Sequence, residues 1–159
     1  MRELAEASDL TLPGLYYHFK SKQELVRAIF DQQANRLLAS PRNNLAPTVR
    51  ERVTQQAMAD LAEMKDDFVR LAILEAIGAD SDAVDTLKEI RRGWDARWTK
   101  ILEGATDLAP DADASRAADI VTTGLLGIHL LHMCGIAASP KTMVNDLAYV
   151  VGKALTTPD

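Results

Sequence analysis

From Leu87 onward the apolar residues Leu87, Ile90, Trp94, Trp98, Ile101, Leu102 and Ala105 recur mainly at spacings of three and four, the period of one helix face. The same period runs through nearly the whole chain. No segment alternates apolar and polar residues between turn residues, as a half-buried strand would. A sequence written this way buries its apolar residues only by packing helix on helix, so the fold class expected is all-α.

Start and stop signals divide the chain into eight expected helices. A short one opens at Met1–Ser8, and a second runs over Leu12–His18. Ser21-Lys22-Gln23-Glu24 is a capping box, in which the serine oxygen and the Glu24 carboxylate satisfy two helix-end amides reciprocally. The helix it opens carries Leu25, Ile29, Phe30 and Leu37 as its buried stripe to about Leu38. Pro41 and Pro47, with Asn43 and Asn44 between them, break the pattern and mark the domain boundary: a head over 1–40 and a body over 41–159. A second capping box, Thr48-Val49-Arg50-Glu51, opens a helix to about Met64. Asp66 and Asp67 favour the start of another, which ends near Gly78. Ser81 caps the striped helix described above. A helix from about Asp113 to Ile136 follows Pro110. The last has Ser139 as cap, Pro140 at its first position, and a stripe of Met143, Val144, Leu147, Val150, Val151, Ala154 and Leu155.

Composition places the chain among soluble globular proteins: 159 residues, 47% apolar and 26% charged. The net charge of −5 argues against a protein that coats nucleic acid through bulk charge, but its distribution is uneven. Residues 1–50 hold seven Lys/Arg against five Asp/Glu, and the rest hold eleven against eighteen. A mildly basic head on an acidic body suits a protein that meets phosphate with one end. The single cysteine, Cys134, excludes an intrachain disulfide and fits a reducing compartment. The N-terminus has charges where a secretion signal needs an apolar region. A cytoplasmic protein is expected.

Residues 4–19 read Leu-Ala-Glu-Ala-Ser-Asp-Leu-Thr-Leu-Pro-Gly-Leu-Tyr-Tyr-His-Phe. Two short helices joined by a tight turn, with small Ala5 at the crossing and Asp9 at the turn, fit a helix-turn-helix. Thr11 is a good N-cap; Pro13 then takes the second helical position, and the threonine oxygen must bond the amide of Gly14. The proline costs little there, because first-turn amides lack intrahelical partners. The second helix is expected in the major groove, its N-terminal residues near base edges. Thr11 and Gly14 allow close backbone approach; Tyr16, Tyr17 and His18 offer hydroxyl or ring donors. Lys22 adds charge beside free amides, and Leu12 is restricted to an apolar contact such as a thymine methyl. Packed inward instead, the two tyrosines and the histidine would be a plain aromatic cluster.

The run Leu-Tyr-Tyr-His-Phe-Lys-Ser-Lys-Gln-Glu-Leu at 15–25, preceded by Leu4-Ala5 and Leu10-Thr11, resembles the DNA-binding signature of TetR-type regulators. The resemblance covers about 25 residues closely and the helical body in outline. It implies a bacterial transcription regulator that is no enzyme: a helix-turn-helix head and a multi-helix ligand-binding and dimerisation body. It also implies operator contacts at Thr11, Leu12, Pro13, Gly14, Tyr16, Tyr17, His18 and Lys22, with Phe19, Leu4, Leu10 and Leu15 in the core of the head. Three departures stand out. A basic or polar residue often occupies the position of Leu12, and glycine that of Asp9. Such regulators also begin with a further helix packed across the reading pair, so the chain is expected to be truncated at its start, its first 19 residues mobile and its operator binding weak.

Residues 120–140 hold no charge, which is about the length of a membrane span. Thr122, Thr123, His129, His132 and three glycines lie within the run and no basic cluster flanks it, so no membrane partner is expected. A helix apolar on most faces also suits one that meets its own core on one side and a partner on the other. Gly124 and Gly127 allow close helix approach, and the last two helices of each subunit are expected to form a four-helix homodimer interface, as the resemblance also implies. The resemblance further places an effector cavity inside the body, with Met58, Met64, Phe68, Trp94, Trp98, His129, His132 and Met133 as candidate lining. The two tryptophans, one turn apart, could stack on a flat ligand, or simply fill core. His129 and His132 share a helix face but have no third ligand in sequence, so no metal or other cofactor is expected. No phosphate loop, His-Glu-x-x-His or nucleophile elbow is present, and the acidic residues are read as solvated faces. The function expected is a repressor released from double-stranded operator DNA by a small-molecule effector; the alternative is a helical protein-interaction module without DNA binding.

Overall fold

The computed structural model describes residues 11–39, 46–64, 69–70, 73, 81–136 and 139–156, with the backbone alone at 37–38 and 81–83. Six helices run through them, with no strand among the described residues: α1 Leu12–His18, α2 Lys22–Ala39, α3 Val49–Glu63, α4 Ser81–Glu103, α5 Ala114–Met133 and α6 Pro140–Leu155. The helix expected over 1–8 lies outside the described residues. Of the one expected to end near Gly78, residues 69–70 and 73 are described and are helical.

Local chemistry sets most helix ends. Thr11 is extended (φ −74°, ψ 149°) and its hydroxyl oxygen accepts the Gly14 amide at 3.1 Å, as the placement of Pro13 requires. At α2 the Glu24 amide donates to Ser21 Oγ at 3.1 Å, but the Glu24 carboxylate accepts from the Lys20 amide at 2.6 Å instead of closing the box on Ser21. The box at α3 is also altered. The Glu51 amide donates to Thr48 Oγ1 at 3.3 Å, the Thr48 hydroxyl donates to Glu51 Oε2 at 2.7 Å, and the Val49 amide is taken by Asp107 at 2.8 Å, from the loop between α4 and α5. Asp113 caps α5 through the Arg116 amide at 2.9 Å. That helix ends at Met133, short of the expected Ile136, because Gly135 turns left-handed (φ 68°), a conformation that costs glycine little. Ser139 precedes α6 without a side-chain cap bond, correcting its expected role; Pro140 is at the first position as expected.

Helices α3 to α6 enclose the main core. Val49, Val53 and Ala57 of α3 meet Trp98, Ile101 and Leu102 of α4, Val121 and Leu125 of α5, and Val144 and Ala148 of α6. At Gly124 a β-carbon would lie 3.0 Å from Leu147 Cδ2, so this glycine sets the approach of α5 to α6; Gly127 faces open space and has no such role. A smaller cluster joins α2 to α4, with Val26 and Phe30 packed against Leu87 and Ile90. Among the described side chains of α2 the buried ones are thus Val26, Phe30 and Gln33; Leu25 and Ile29 are only half-buried, and the side chain of Leu37 lies outside the described ones. On α6, Val150 and Ala154 of the expected stripe face outward.

At the centre lies Asp60 of α3, 0% exposed. Its Oδ1 accepts from Gln56 Nε2 at 2.9 Å and Arg97 Nη1 at 3.0 Å. Its Oδ2 accepts from Trp94 Nε1 at 2.9 Å, Trp98 Nε1 at 2.9 Å and Arg97 Nη1 at 3.0 Å. This overturns the reading of the acidic residues as uniformly solvated: Asp60 shares the face of Val53, Gln56 and Ala57, and α4 answers it with three donors. A buried carboxylate is tolerable only when its lone pairs are occupied in this way.

Two outcomes are expected. Asp60→Ala leaves the Arg97 charge buried without its counter-ion and should lower stability by about 3–5 kcal/mol, read as a drop in the urea midpoint followed by tryptophan fluorescence. Thr11→Ala removes only a cap, worth ~1 kcal/mol; the Gly14 amide should exchange several-fold faster by hydrogen–deuterium exchange while the amides of α4 remain unchanged.

Candidate nucleic-acid interface and buried polar centre

The short α1 exposes one end and one side. Thr11, Pro13, Tyr16, Tyr17 and His18 are exposed, Leu12 and Gly14 half-buried, and Leu15 alone of the helix is buried. Tyr17 is the most open, at 86%, and packs edge-on against His18 with ring centroids 5.3 Å apart. The alternative of an inward aromatic cluster does not describe this arrangement. Leu15 anchors the helix, while Phe19 is half-buried at its C-cap. Lys22, exposed, begins α2 two residues beyond Lys20. The eight residues expected to meet DNA therefore fall on one short helix, its cap, and the first turn of the next. Leu4, Ala5, Asp9 and Leu10 lie outside the described residues.

The Cβ position at Gly14 stands 3.1 Å from Thr11 Oγ1, so a side chain there would press on the cap that starts the helix. The glycine keeps the first turn both thin and capped. A thin, exposed first turn is what close approach of backbone to phosphate or a base edge requires.

The expected effector-lining residues separate into two sets. Met64, Trp94, Trp98 and His129 are buried, and Met133 is half-buried. Met58 and His132 are at the surface, which corrects their assignment to the interior: Met58 follows Ala57 around α3 off its buried face, and His132 lies outside the α5 stripe of Val121, Leu125, Ile128 and His129. Phe68 lies outside the described residues. The tryptophans do not present free indole N–H groups, since both donate to Asp60.

The polar residues that organise this interior, Asp60 and Arg97, were missed from sequence. Their signal was present: each is a charged residue in register with an apolar stripe, Asp60 with Val53 and Ala57, Arg97 between Trp94 and Ile101. Nearer the surface, Arg91 ties α4 to α5. Its Nε donates to both oxygens of Asp95 at 2.8 and 2.9 Å, and its Nη2 to Thr123 Oγ1 at 2.7 Å and Asp119 Oδ1 at 2.5 Å. Among the described residues no group of three or more metal-ligating side chains gathers, and no helix is long and apolar enough to cross a membrane.

Residues 1–29 match the sequence profile of bacterial regulatory proteins of the tetR family. No curated protein sequence matches the chain. Among solved structures, a regulatory protein of the tetR family from Rhodococcus RHA1 is similar over 99% of this chain and 86% of its own, with 21% identity and a TM-score of 0.74. The reduced form of NemR from E. coli is similar over 100% and 88%, with 15% identity and a TM-score of 0.75. A protein of unknown function from Rhodococcus sp. RHA1 is similar over 98% and 84%, with 22% identity and a TM-score of 0.68. At these identities the likeness is one of fold. The first 29 residues thus carry the tetR-family sequence profile, and the chain as a whole shares the all-α fold of these solved structures.

Proposed function

We propose that the chain is a repressor that holds double-stranded operator DNA as a homodimer and releases it when a small-molecule effector enters the body. The observation that carries the DNA-binding part is the outward face of α1: a threonine-capped first turn, two exposed tyrosines and His18, with Lys22 opening the next helix. In this reading Thr11 and Gly14 approach the duplex through backbone, Leu12 makes an apolar contact, and Pro13 stiffens the turn. Tyr16, Tyr17, His18 and Lys22 bond phosphates or base edges. Residues 1–40 are the DNA-binding domain with its connecting helix, and 41–159 the effector and dimer domain.

Packing supports a route between the two. α2, which follows the reading helix directly, is fixed at Val26 and Phe30 against Leu87 and Ile90 of α4, and Gln33 Nε2 donates to the Glu63 carbonyl at the end of α3 at 2.8 Å. α4 also carries Trp94, Arg97 and Trp98. An effector that prefers one position of α4 shifts α2, and with it the spacing of the paired reading helices, as a two-state population.

The dimer reading rests on the outer faces of the last two helices. Ile120, Leu126 and Leu131 of α5 and Tyr149 and Val150 of α6 are large apolar side chains exposed to between 36% and 60%, while the opposite faces of both helices are in the core. A second copy of the same pair would cover them as a four-helix bundle.

Binding to duplex DNA from upstream of the chain's own reading frame, followed by anisotropy over a salt series, tests the central reading. Affinity should fall with salt, and Lys22→Ala should reduce the slope of log K against log salt by about 1. No salt-dependent binding at all would leave a helical interaction module in its place. For the dimer, Ile120→Arg with Leu131→Arg should convert the sedimenting species from dimer to monomer at unchanged helical content; a wild-type monomer at micromolar concentration refutes it.

A further inference from the structure

Arg97 is more than its bond to Asp60. Its side chain is 1% exposed, and only Nη1 is engaged, lying 3.0 Å from each oxygen of Asp60. The Nε and Nη2 atoms are buried and have no hydrogen-bond partner among the described residues. These are not arbitrary leftovers. Nε–H and the near N–H of Nη2 form one edge of the guanidinium, two parallel donors at the spacing of two carboxylate oxygens. Buried donors are paired in the great majority of proteins, so an arginine that keeps its most selective edge open marks a place where something else binds.

The charge arrangement points the same way. Asp60 is not neutralised by Arg97 alone: Gln56, Trp94 and Trp98 donate three further hydrogen bonds to it. Those bonds fill the carboxylate's other lone pairs, so Arg97 serves Asp60 through Nη1 alone and its second edge stays available to another acceptor. The indoles are held in place by the same carboxylate, giving the guanidinium two rigid aromatic neighbours. Val69, Ile101 and Val121 supply apolar surface to the same core, with Thr122 and His129 of α5 as buried polar neighbours.

We infer that the effector of this regulator is a carboxylate-bearing small molecule, docked with its carboxylate on the Nε–Nη2 edge of Arg97. The inference rests on the effector-responsive reading above, and it names the group that effector carries. Discrimination follows from the geometry. A carboxylate satisfies both donors and supplies charge, whereas the matching amide offers a single oxygen acceptor and brings an NH2 group against an N–H.

The test uses the full chain, whose two tryptophans both flank Arg97. Formate, acetate and benzoate are titrated at millimolar concentrations against the intrinsic fluorescence, with benzamide as the uncharged counterpart. At least one carboxylate should give a saturable change and raise Tm, and benzamide should give neither. Arg97→Lys keeps a charge facing Asp60 but lacks the fork; it should weaken carboxylate binding about tenfold or more, the loss of one charge-assisted hydrogen bond, with far-UV circular dichroism unchanged. Should that variant fail to fold, the wild-type contrast of benzoate with benzamide decides alone.

No saturable response to any of the three carboxylates, equal response to benzamide, or full binding by folded Arg97→Lys overturns the inference; water filling the edge would produce the first of these. Operator occupancy, measured in parallel, separates it from the reading beneath it. A carboxylate that binds at Arg97 without altering DNA binding retains the site and removes the effector-controlled repressor. DNA released by an uncharged molecule, equally from wild type and Arg97→Lys, does the reverse.

Discussion

Everything in the body is arranged around one buried carboxylate. Taking Asp60 from water into an apolar interior is unfavourable by several kcal/mol unless its oxygens are fully bonded, and each of its donors is fixed by where its helix lies. Gln56 reaches it along α3, one turn away, and Trp94, Arg97 and Trp98 reach it from α4. The requirement sets the register of α4 against α3: slide α4 by one residue and the two indole N–H groups leave the carboxylate together. Apolar packing alone would tolerate such a slide more readily, because one aliphatic contact can substitute for another. The polar centre therefore supplies uniqueness of packing where the core of valine, leucine and alanine supplies bulk stability.

The register of α4 is also what the reading head depends on. Seven residues of α1 have one buried anchor, Leu15, and a capped start. Their position is inherited from α2, and that of α2 from Leu87 and Ile90, one to three turns before the tryptophans on the same rigid helix. A helix transmits displacement along its axis with little loss, since its backbone bonds repeat every residue. In the proposed mechanism the link between an interior ligand and the exterior surface is thus a single continuous element, with no need for a chain of side-chain rearrangements.

Features determined by a few neighbouring residues were legible in the sequence. Thr11 and Pro13 dictated the bond to the Gly14 amide, and the structure has it; the starts of α3 and α6 followed from Thr48 and Pro140. The details that escaped were settled either by a competing local choice or by residues far away in the chain. Val49 takes its cap from Asp107, Glu24 turns to the Lys20 amide, and Gly135 ends α5 three residues early through its positive φ. Asp60 is the clearest instance. Its register with Val53 and Ala57 hints at an inward face, but what makes its burial tolerable is donors 34 to 38 positions away, on α4. The candidate site divides the same way: the α1 residues were legible as an outward face, whereas the interior list mixed Trp94 and His129 with the surface residues Met58 and His132.

The uncharged stretch after Asp119 illustrates how one composition serves two solvents. On α5 the side chains of Val121, Thr122, Leu125, Ile128 and His129 are buried, and those of Ile120, Leu126 and Leu131 are exposed. A helix serving only the core of a monomer would carry charge on its outer face, because charge there is favourable and apolar surface is not. The absence of charge on both faces is explained when the outer one is also covered. The polar residues placed within it follow from the same logic: Thr122 donates to the Ala118 carbonyl at 3.0 Å and to Asp95, and Thr123 accepts from Arg91, so the hydroxyls bond within the subunit and leave the intervening apolar side chains outward, as the proposed dimer requires. A membrane would have demanded apolar residues all round and a longer helix. A symmetric protein partner demands only one further apolar face, and that is what α5 and α6 present.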